Sequence, residues 1–354
     1  IPVWYCEKCG EDNYIISLEK PQNCPRCKSS NLTQESDTFD TWFSSGQWPY
    51  TTLGYLKNKD YQTFYPTDMM VMGRDNLFLW ASRMIMLGLY RTGKIPFKNL
   101  YFTGLVRDRE GYKMSKSRGN GIDPLEMMNK FGADALRLSL VMDISPGQDS
   151  RIYEEKIESF RNFVTKLWNI FRYAAQLDEN FAPIENISKK DLKSNADQWI
   201  VSRLEKTIEN ATKFLEKKNL NLAQEELRRF TWDDLADWYV EMNKAEKNTK
   251  VLGYILHRLL RLWHPFAPFV TEEIYQILKI SNKTLMMSLW PKADKKFINS
   301  KVEKEFNDFK ILVTKIRNVR ANCHIDPVKI IEATIACGRV ETHCNASLPM
   351  PILN

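Results

Sequence analysis

Hydrophobic and polar positions divide the chain into three stretches of different rhythm. Residues 69–73, "MMVMG", form a short apolar run that predicts a buried strand. The following "RDNLFLWASRMIMLGLY" is apolar nearly throughout and predicts a largely buried helix. A second strand is predicted over 98–104, "KNLYFTG". Strand, helix and strand in that order predict a parallel βαβ unit, whose ligand crevice lies beyond the C-terminal ends of the strands. Further on, Asp123 and Pro124 predict a helix start, with Asp as N-cap, Pro at the first helical position and Glu126 in the first turn. Gly132 ends that helix, and another begins near Ala133.

From residue 151 the pattern becomes helical. Ile157, Phe160, Val164, Leu167, Phe171 and Ala174 recur at spacings of three and four, a stripe for burial. Trp199, Leu204, Ile208, Ala211 and Leu215 make a second such stripe; Leu227, Phe230, Leu235, Trp238 and Met242 make a third. A fourth helix over 251–263 is stopped by Pro265 and Pro268, and "TEEIYQIL" restarts with Thr271 as its expected cap. A last helix, basic at its end, is predicted over 302–320. The sum is a helix bundle in which most aromatic residues are core.

The first 36 residues follow neither rhythm; they are polar and short of core residues. Their chemistry lies in "CEKC" and "CPRC", which place Cys6, Cys9, Cys24 and Cys27 as two C-x-x-C pairs with fourteen residues between them. Two such knuckles can close a tetrahedral thiolate site for Zn²⁺, with disulfides as the alternative. Four thiolates leave no open coordination position, so the zinc is structural, and thiol ligands imply a reducing, cytoplasmic compartment. Cys323, Cys337 and Cys344 show no ligand spacing and read as plain thiols.

Composition adds little. The 354 residues are 43% hydrophobic and 27% charged, with a formal charge of +7 that suits a polyanionic partner such as RNA without requiring one. No apolar run approaches the ~20 residues of a membrane span, and no signal peptide is visible, so no membrane partner is expected. The chain opens "IPVWYC", without an initiator methionine and inside an apolar run, and is expected to be a piece of something longer.

The sharpest chemical signal is "GYKMSKSRGN", residues 111–120. Lys113 and Lys116 stand three apart in a segment too rich in glycine for a stable helix, with hydroxyls at Ser115 and Ser117 and with Gly111, Gly119 and Asn120 letting the loop bend. Lysines on a flexible loop can meet the charge that develops on a leaving pyrophosphate. A K-x-x-K loop taken alone is more often a solvated surface turn.

Its neighbours change that reading. "KMSKS" at 113–117 is identical to the second signature of the class I aminoacyl-tRNA synthetases. "DTFDTWFSSGQWPYTTLGY" (37–55), "GRDNLFLWASRMIMLG" (73–88), "GLVRDREGYKMSKSRGNGIDPLEMMNKFGADALRLSL" (104–140), "PGQDSR" (146–151), "LWHPFAPFVTEEIY" (262–275) and "IRNVRA" (316–321) resemble the valyl-tRNA synthetase family. The resemblance runs to about residue 335; the tail, 336–354, matches nothing.

The resemblance implies α/β plus all-α architecture. A zinc-knuckle segment (1–36) precedes the second half of a Rossmann-type catalytic domain carrying the KMSKS loop (37–150), and a helical anticodon-binding domain follows (151–335). It implies activation of valine by ATP, with Mg²⁺, to an adenylate, then transfer to tRNA(Val), by an enzyme that is monomeric at full length. Lys113, Met114, Ser115, Lys116 and Ser117 would hold the ATP phosphates, with Lys113 and Lys116 catalytic and Lys116 carrying most of the transition-state charge. Trp42 and Trp80 would wall the amino-acid pocket, and Gly73 and Asp75 would face the adenylate, although core positions explain both tryptophans equally well. Asn76 departs from the family, which has an aliphatic residue there. The first signature, of H-I-G-H type, and an editing domain are absent from these residues, so the polypeptide alone is expected to be inactive. An isoleucyl- or leucyl-tRNA synthetase, or a non-catalytic tRNA-binding module, remain as rival readings. Among the bundle's cations, such as Arg228, Arg229, Arg317 and Arg320, none is singled out for tRNA.

Overall fold

The computed structural model describes residues 1–178, 181–280 and 283–326. Cys337, Cys344 and the tail 336–354 lie outside the described residues. The chain forms two compact units, divided after Gly104.

The first unit opens with a small antiparallel sheet in the order β2–β1–β3, formed by β1 (Val3–Cys6), β2 (Gly10–Ile16) and β3 (Leu32–Gln34). The knuckle segment therefore has a fold and a core of its own, though a minimal one: Trp4, Cys6, Cys24 and Leu32 are its buried residues. Helices α1 (Thr41–Thr51) and α2 (Lys59–Phe64) follow, started by Asp40 and Asn58, whose side chains accept the amides of Trp42 and Asp60.

The parallel βαβ unit forms as the pattern predicts. Strand β4 (Thr67–Gly73) pairs in parallel with β5 (Phe97–Thr103), Gly73 lying opposite Thr103. Between them the chain makes a single 3₁₀ turn (Arg74–Asn76), a π-helical turn (Leu77–Ala81) and α3 (Ser82–Thr92). The expectation of a largely buried helix fails. Ala81, Met84 and Gly88 are buried beneath it, while Phe78, Met86 and Tyr90 are exposed. The two strands cover one stripe of this helix and α1 packs along another, Leu87 lying against Gly46, while Phe78, Met86 and Tyr90 stay exposed among the described residues.

The second unit begins with β6 (Val106–Arg107), which pairs in parallel with β7 (Ser150–Arg151). Between them lie the KMSKS loop, α4 (Pro124–Phe131) and α5 (Ala133–Val141), with Asp123 capping α4 and Gly132 separating the two helices as expected. The bundle consists of α6 (Glu154–Leu177), α7 (Asn195–Glu216), α8 (Leu220–Arg229), α9 (Val240–Glu246), α10 (Thr249–Trp263), α11 (Pro268–Ile277) and α12 (Ser300–Asn322). A π-helical segment, Phe230–Tyr239, joins α8 to α9 in one long helix. All three predicted stripes face the same large core, which includes Ile157, Leu167, Trp199, Leu204, Ile208, Phe230 and Leu235.

Thr271 is not a cap. Helix α11 starts at Pro268, and Thr271 is buried in its interior with its hydroxyl donating to the Ala267 carbonyl. Pro268, expected to end a helix, begins one, because the first helical position needs no amide donor. The α11 amides are satisfied from another element: the buried Asp134 carboxylate of α5 accepts from Phe269 (3.2 Å) and Val270 (2.7 Å). Arg137, one turn on, donates to the carbonyls of Pro265 and Phe266. Those four bonds tie the helix pair after the KMSKS loop to the bundle.

Burial in the bundle also sets an acid limit. His257 on α10 is packed beside Arg258 and Arg261, with Glu185 facing Arg261. Burial first, then the Arg261 charge, holds its pKa down to about 4 from 6.5. An unfolded chain takes up that proton below pH 6.5 and the folded one does not until about pH 4, so stability present above 6.5 is lost across that window. After allowance for partial solvent exposure the loss is about 1–2 kcal/mol. Urea midpoints measured from pH 7 to 4 should fall less steeply for His257→Gln than for the parent; equal slopes remove His257 as the cause.

Candidate functional site

The four knuckle cysteines converge. Their Sγ atoms all lie within 4.8 Å of one another, with Cys6 to Cys27 at 3.5 Å and Cys9 to Cys24 at 3.9 Å. A tetrahedron with Zn–S bonds of ~2.3 Å has edges of roughly 3.8 Å, between those two separations. The thiols are free rather than paired as disulfides. Backbone amides of Cys27 and Arg26 aim at the Cys24 sulfur and pull its pKa down to about 6, the direction a metal ligand needs. Cys9 moves the other way, up to about 12, because hydrogen bonding with Cys27 and burial favour its protonated form. Four sulfurs crowded this closely suit a cation at their centre. The cluster fits a four-coordinate metal with no open position.

The KMSKS loop is built on a frame that the sequence reading did not single out. Asp149 holds its base, accepting from the Leu105 amide (2.9 Å) and from Arg107 Nε (2.6 Å). Arg107 also donates to the carbonyl of Gly111, whose φ of 95° favours glycine at this tight turn. Asp108 closes the same turn by accepting the Tyr112 amide at 2.7 Å. Asp108-x-x-Gly111, with the Gly111 amide donating to the Asp108 carbonyl (3.1 Å), is a β-turn pattern that could have been found in the sequence. Beyond it Met114 turns inward against the helical core, and Lys116–Arg118 form one 3₁₀ turn that ends at Gly119 in the left-handed region.

Asn120 does not let the loop bend, as expected from the sequence; it binds the loop together. Its Oδ1 accepts the Ser115 amide (3.0 Å), and its Nδ2 donates to Asp108 (2.7 Å) and to the Lys113 carbonyl (3.3 Å). The Asn120 hydrogen bond is also the main reason the Asp108 carboxyl sits below its ordinary pKa. Ser115 and Ser117 hydroxyls are 3.2 Å apart, and Arg118 lies over the Tyr112 ring. Lys113 and Lys116 are exposed, and among the described residues neither joins an ion pair. A cleft of about 550 Å³ opens behind the loop, lined by Asp108, Met114, Asn120, Phe131 and Tyr153 among others.

The residues expected around the amino acid lie in the first unit. Gly73 ends β4, and any Cβ there would stand 2.6 Å from the Asp75 carboxylate, so a side chain at 73 would displace Asp75. Trp80 donates from Nε1 to the Ser45 carbonyl of α1 (3.0 Å) and lies 6.4 Å from the Trp48 ring. Trp42, three residues before Ser45, is half-buried at the start of α1. Both tryptophans are half-buried, and Trp80 packs against the small core of Met70, Met72, Ala81, Met84 and Phe97. The π-helical turn that carries Trp80 widens the helix where it leaves the strand end.

The description "tRNA synthetases class I (I, L, M and V)" belongs to a family model that matches residues 7–153, and "Anticodon-binding domain of tRNA ligase" to one that matches 197–335. Valine–tRNA ligase of Clostridium tetani is 44% identical over 341 residues, which are 92% of this chain and 38% of that protein. The Geobacillus stearothermophilus enzyme of the same name is 41% identical over 98% of this chain and 40% of its own length. The chain thus spans about two fifths of the curated relatives it matches. Among solved structures, a ternary complex of Agrobacterium radiobacter K84 LeuRS with tRNA and LeuAMS superposes with a TM-score of 0.69 at 23% identity, over 84% of this chain and 41% of that one. Mycobacterium tuberculosis methionyl-tRNA synthetase with methionyl-adenylate gives 0.54 at 20%, over 66% and 48%. At such identities these likenesses concern the fold. With both family models matched in order and identities above 40% over nearly its whole length, the chain belongs to the class I tRNA synthetases, on the branch of the valine–tRNA ligases.

Proposed function

We propose that this chain supplies the phosphate-binding loop, part of the amino-acid pocket and the tRNA-binding helices of a cytoplasmic valine–tRNA ligase. The observation that carries the reading is the loop itself: a rigid frame of Asp149, Arg107, Asp108 and Asn120 presents two lysines that no carboxylate among the described residues neutralises. In the activation step a valine carboxylate oxygen attacks the α-phosphorus of ATP and the bond to the β-phosphate oxygen breaks. Charge grows on the departing pyrophosphate, and Lys113 and Lys116 meet it with Ser115 and Ser117 as hydroxyl donors. Met114 contributes by anchoring the loop to the core. Mg²⁺ would travel with the ATP phosphates.

In the second step a ribose hydroxyl at the 3′ end of tRNA(Val) attacks the adenylate carbonyl, and AMP leaves. The parallel βαβ unit is read as part of a Rossmann-type sheet, with Gly73 and Asp75 beside the adenylate and Trp42 and Trp80 walling a small aliphatic pocket. The domain order 1–36, 37–150 and 151–335 follows from the same reading. Zinc at Cys6, Cys9, Cys24 and Cys27 is structural, and the full-length enzyme acts as a monomer.

Pyrophosphate exchange by the full-length protein tests the assignment. Valine should give a kcat/KM at least tenfold above isoleucine, leucine or threonine. Preference for isoleucine or leucine moves the protein to a sister branch, and Asn76 is then the first pocket residue to examine.

A further inference from the structure

We propose that Asn120 is a positioning residue of the activation step: a latch whose one side-chain amide holds the loop in the conformation that presents Lys113 and Lys116. The inference rests on the loop's proposed role in binding ATP. Asn120 lies after the signature and makes three hydrogen bonds back across it: it donates to the Asp108 carboxylate before the signature and to the Lys113 carbonyl at its start, and accepts from the Ser115 amide at its middle. The bond to Ser115 closes residues 115–120 into a ring from which Lys116 projects, with the 3₁₀ turn and Gly119 bringing the chain back.

The requirement for asparagine is chemical. Two N–H donors and one acceptor are used together, on a side chain one carbon long. Aspartate has the shape but no donor, and would face the Asp108 carboxylate across the 2.7 Å now bridged by Nδ2. The opposite amide orientation is excluded for the same reason, since it would aim Oδ1 at a carboxylate and a carbonyl. Ammonium groups lower a barrier only if their positions are settled before the charge develops, and displacement by about 1 Å costs on the order of 10² in rate.

The experiment compares Asn120→Ala, Asn120→Asp and the double variant Asp108→Asn/Asn120→Asp in the full-length protein. In the double variant the donor and acceptor change places, while an amide oxygen at 108 still receives the Tyr112 N–H. Both single variants should lose ten- to hundredfold in kcat for valine-dependent pyrophosphate exchange, with the KM for valine within threefold and unchanged thermal midpoints. The double variant should recover about tenfold over Asn120→Asp, which a contribution to folding alone does not produce. A second readout needs no substrate: tryptic cleavage after Lys113, Lys116 or Arg118 should quicken several-fold in the single variants and slow again in the double. Wild-type kcat in either single variant, or a double variant no better than Asn120→Asp, overturns the latch. Absence of exchange by the parent protein overturns the valine ligase reading instead, and cleavage rates then decide the latch alone, equal rates rejecting it.

Discussion

Lys116→Ala in the full-length protein is expected to reduce valine-dependent pyrophosphate exchange by 10²–10³-fold, the largest effect of any single substitution in the chain. The magnitude follows from what one preorganised charge contributes when it faces charge that exists only in the transition state. Lys116 is exposed and has no ion-pair partner among the described residues, so its removal leaves no buried group unpaired and should not shift the thermal midpoint. The loss should lie in kcat more than in the KM for valine. Affinity for tRNA should stay within a few-fold, because the helical region is untouched. Lys116→Arg should recover only part of the rate, since a planar guanidinium spreads the charge that an ammonium concentrates. If activity and tRNA affinity fall together by similar factors, the loop serves RNA binding rather than chemistry.

Removal of the metal is expected to have the second largest effect, and on a different part of the molecule. Residues 1–36 bury only Trp4, Cys6, Cys24 and Leu32, far too little to hold a sheet of three short strands. Structural Zn²⁺ on thiolates is worth about 10 kcal/mol or more in small domains, so nearly all the order of this segment should depend on it. Protein purified without chelator should carry one zinc per chain. Chelation, or Cys24→Ser, should raise amide hydrogen exchange across 3–34 by orders of magnitude and leave α6–α12 protected. Acidification should release the metal as the thiolates take up protons. Fully folded protein that contains no metal, or exchange in 3–34 that ignores the chelator, would overturn the zinc assignment.

Much of this was legible before any coordinates. The βαβ unit, the Asp123–Pro124 helix start and the three bundle stripes could be read because each is a local pattern: an apolar run between glycines, a cap beside a proline, a spacing of three and four. The knuckle cysteines were legible for a similar reason, since two C-x-x-C turns bring thiols together with little help from the rest of the chain. Errors arose where a residue's partner lay far away in sequence. Thr271 looks like a cap, yet the amides at the start of α11 are taken by Asp134, from another helix more than a hundred residues earlier. The helix over 74–90 looks largely buried by composition, yet nothing among the described residues covers Phe78, Met86 or Tyr90.

The loop divides in the same way. Its chemistry, two lysines and two hydroxyls in a glycine-marked turn, was written in ten consecutive letters, because ionisable groups keep their character whatever they pack against. Its shape was not. The hydrogen bonds that frame it come from Asp149, about thirty residues beyond the signature, and from Asp108 and Asn120 on either side of it, and only a folded chain brings those groups within 3 Å. Sequence alone therefore determined which ionisable groups the loop and the knuckles carry and where the βαβ unit and the main bundle helices lie, but not the short strands of residues 1–36 or the pair β6 and β7. Tertiary structure decided which side chains hold that chemistry still, because a hydrogen bond's geometry depends on where two distant backbones come to rest.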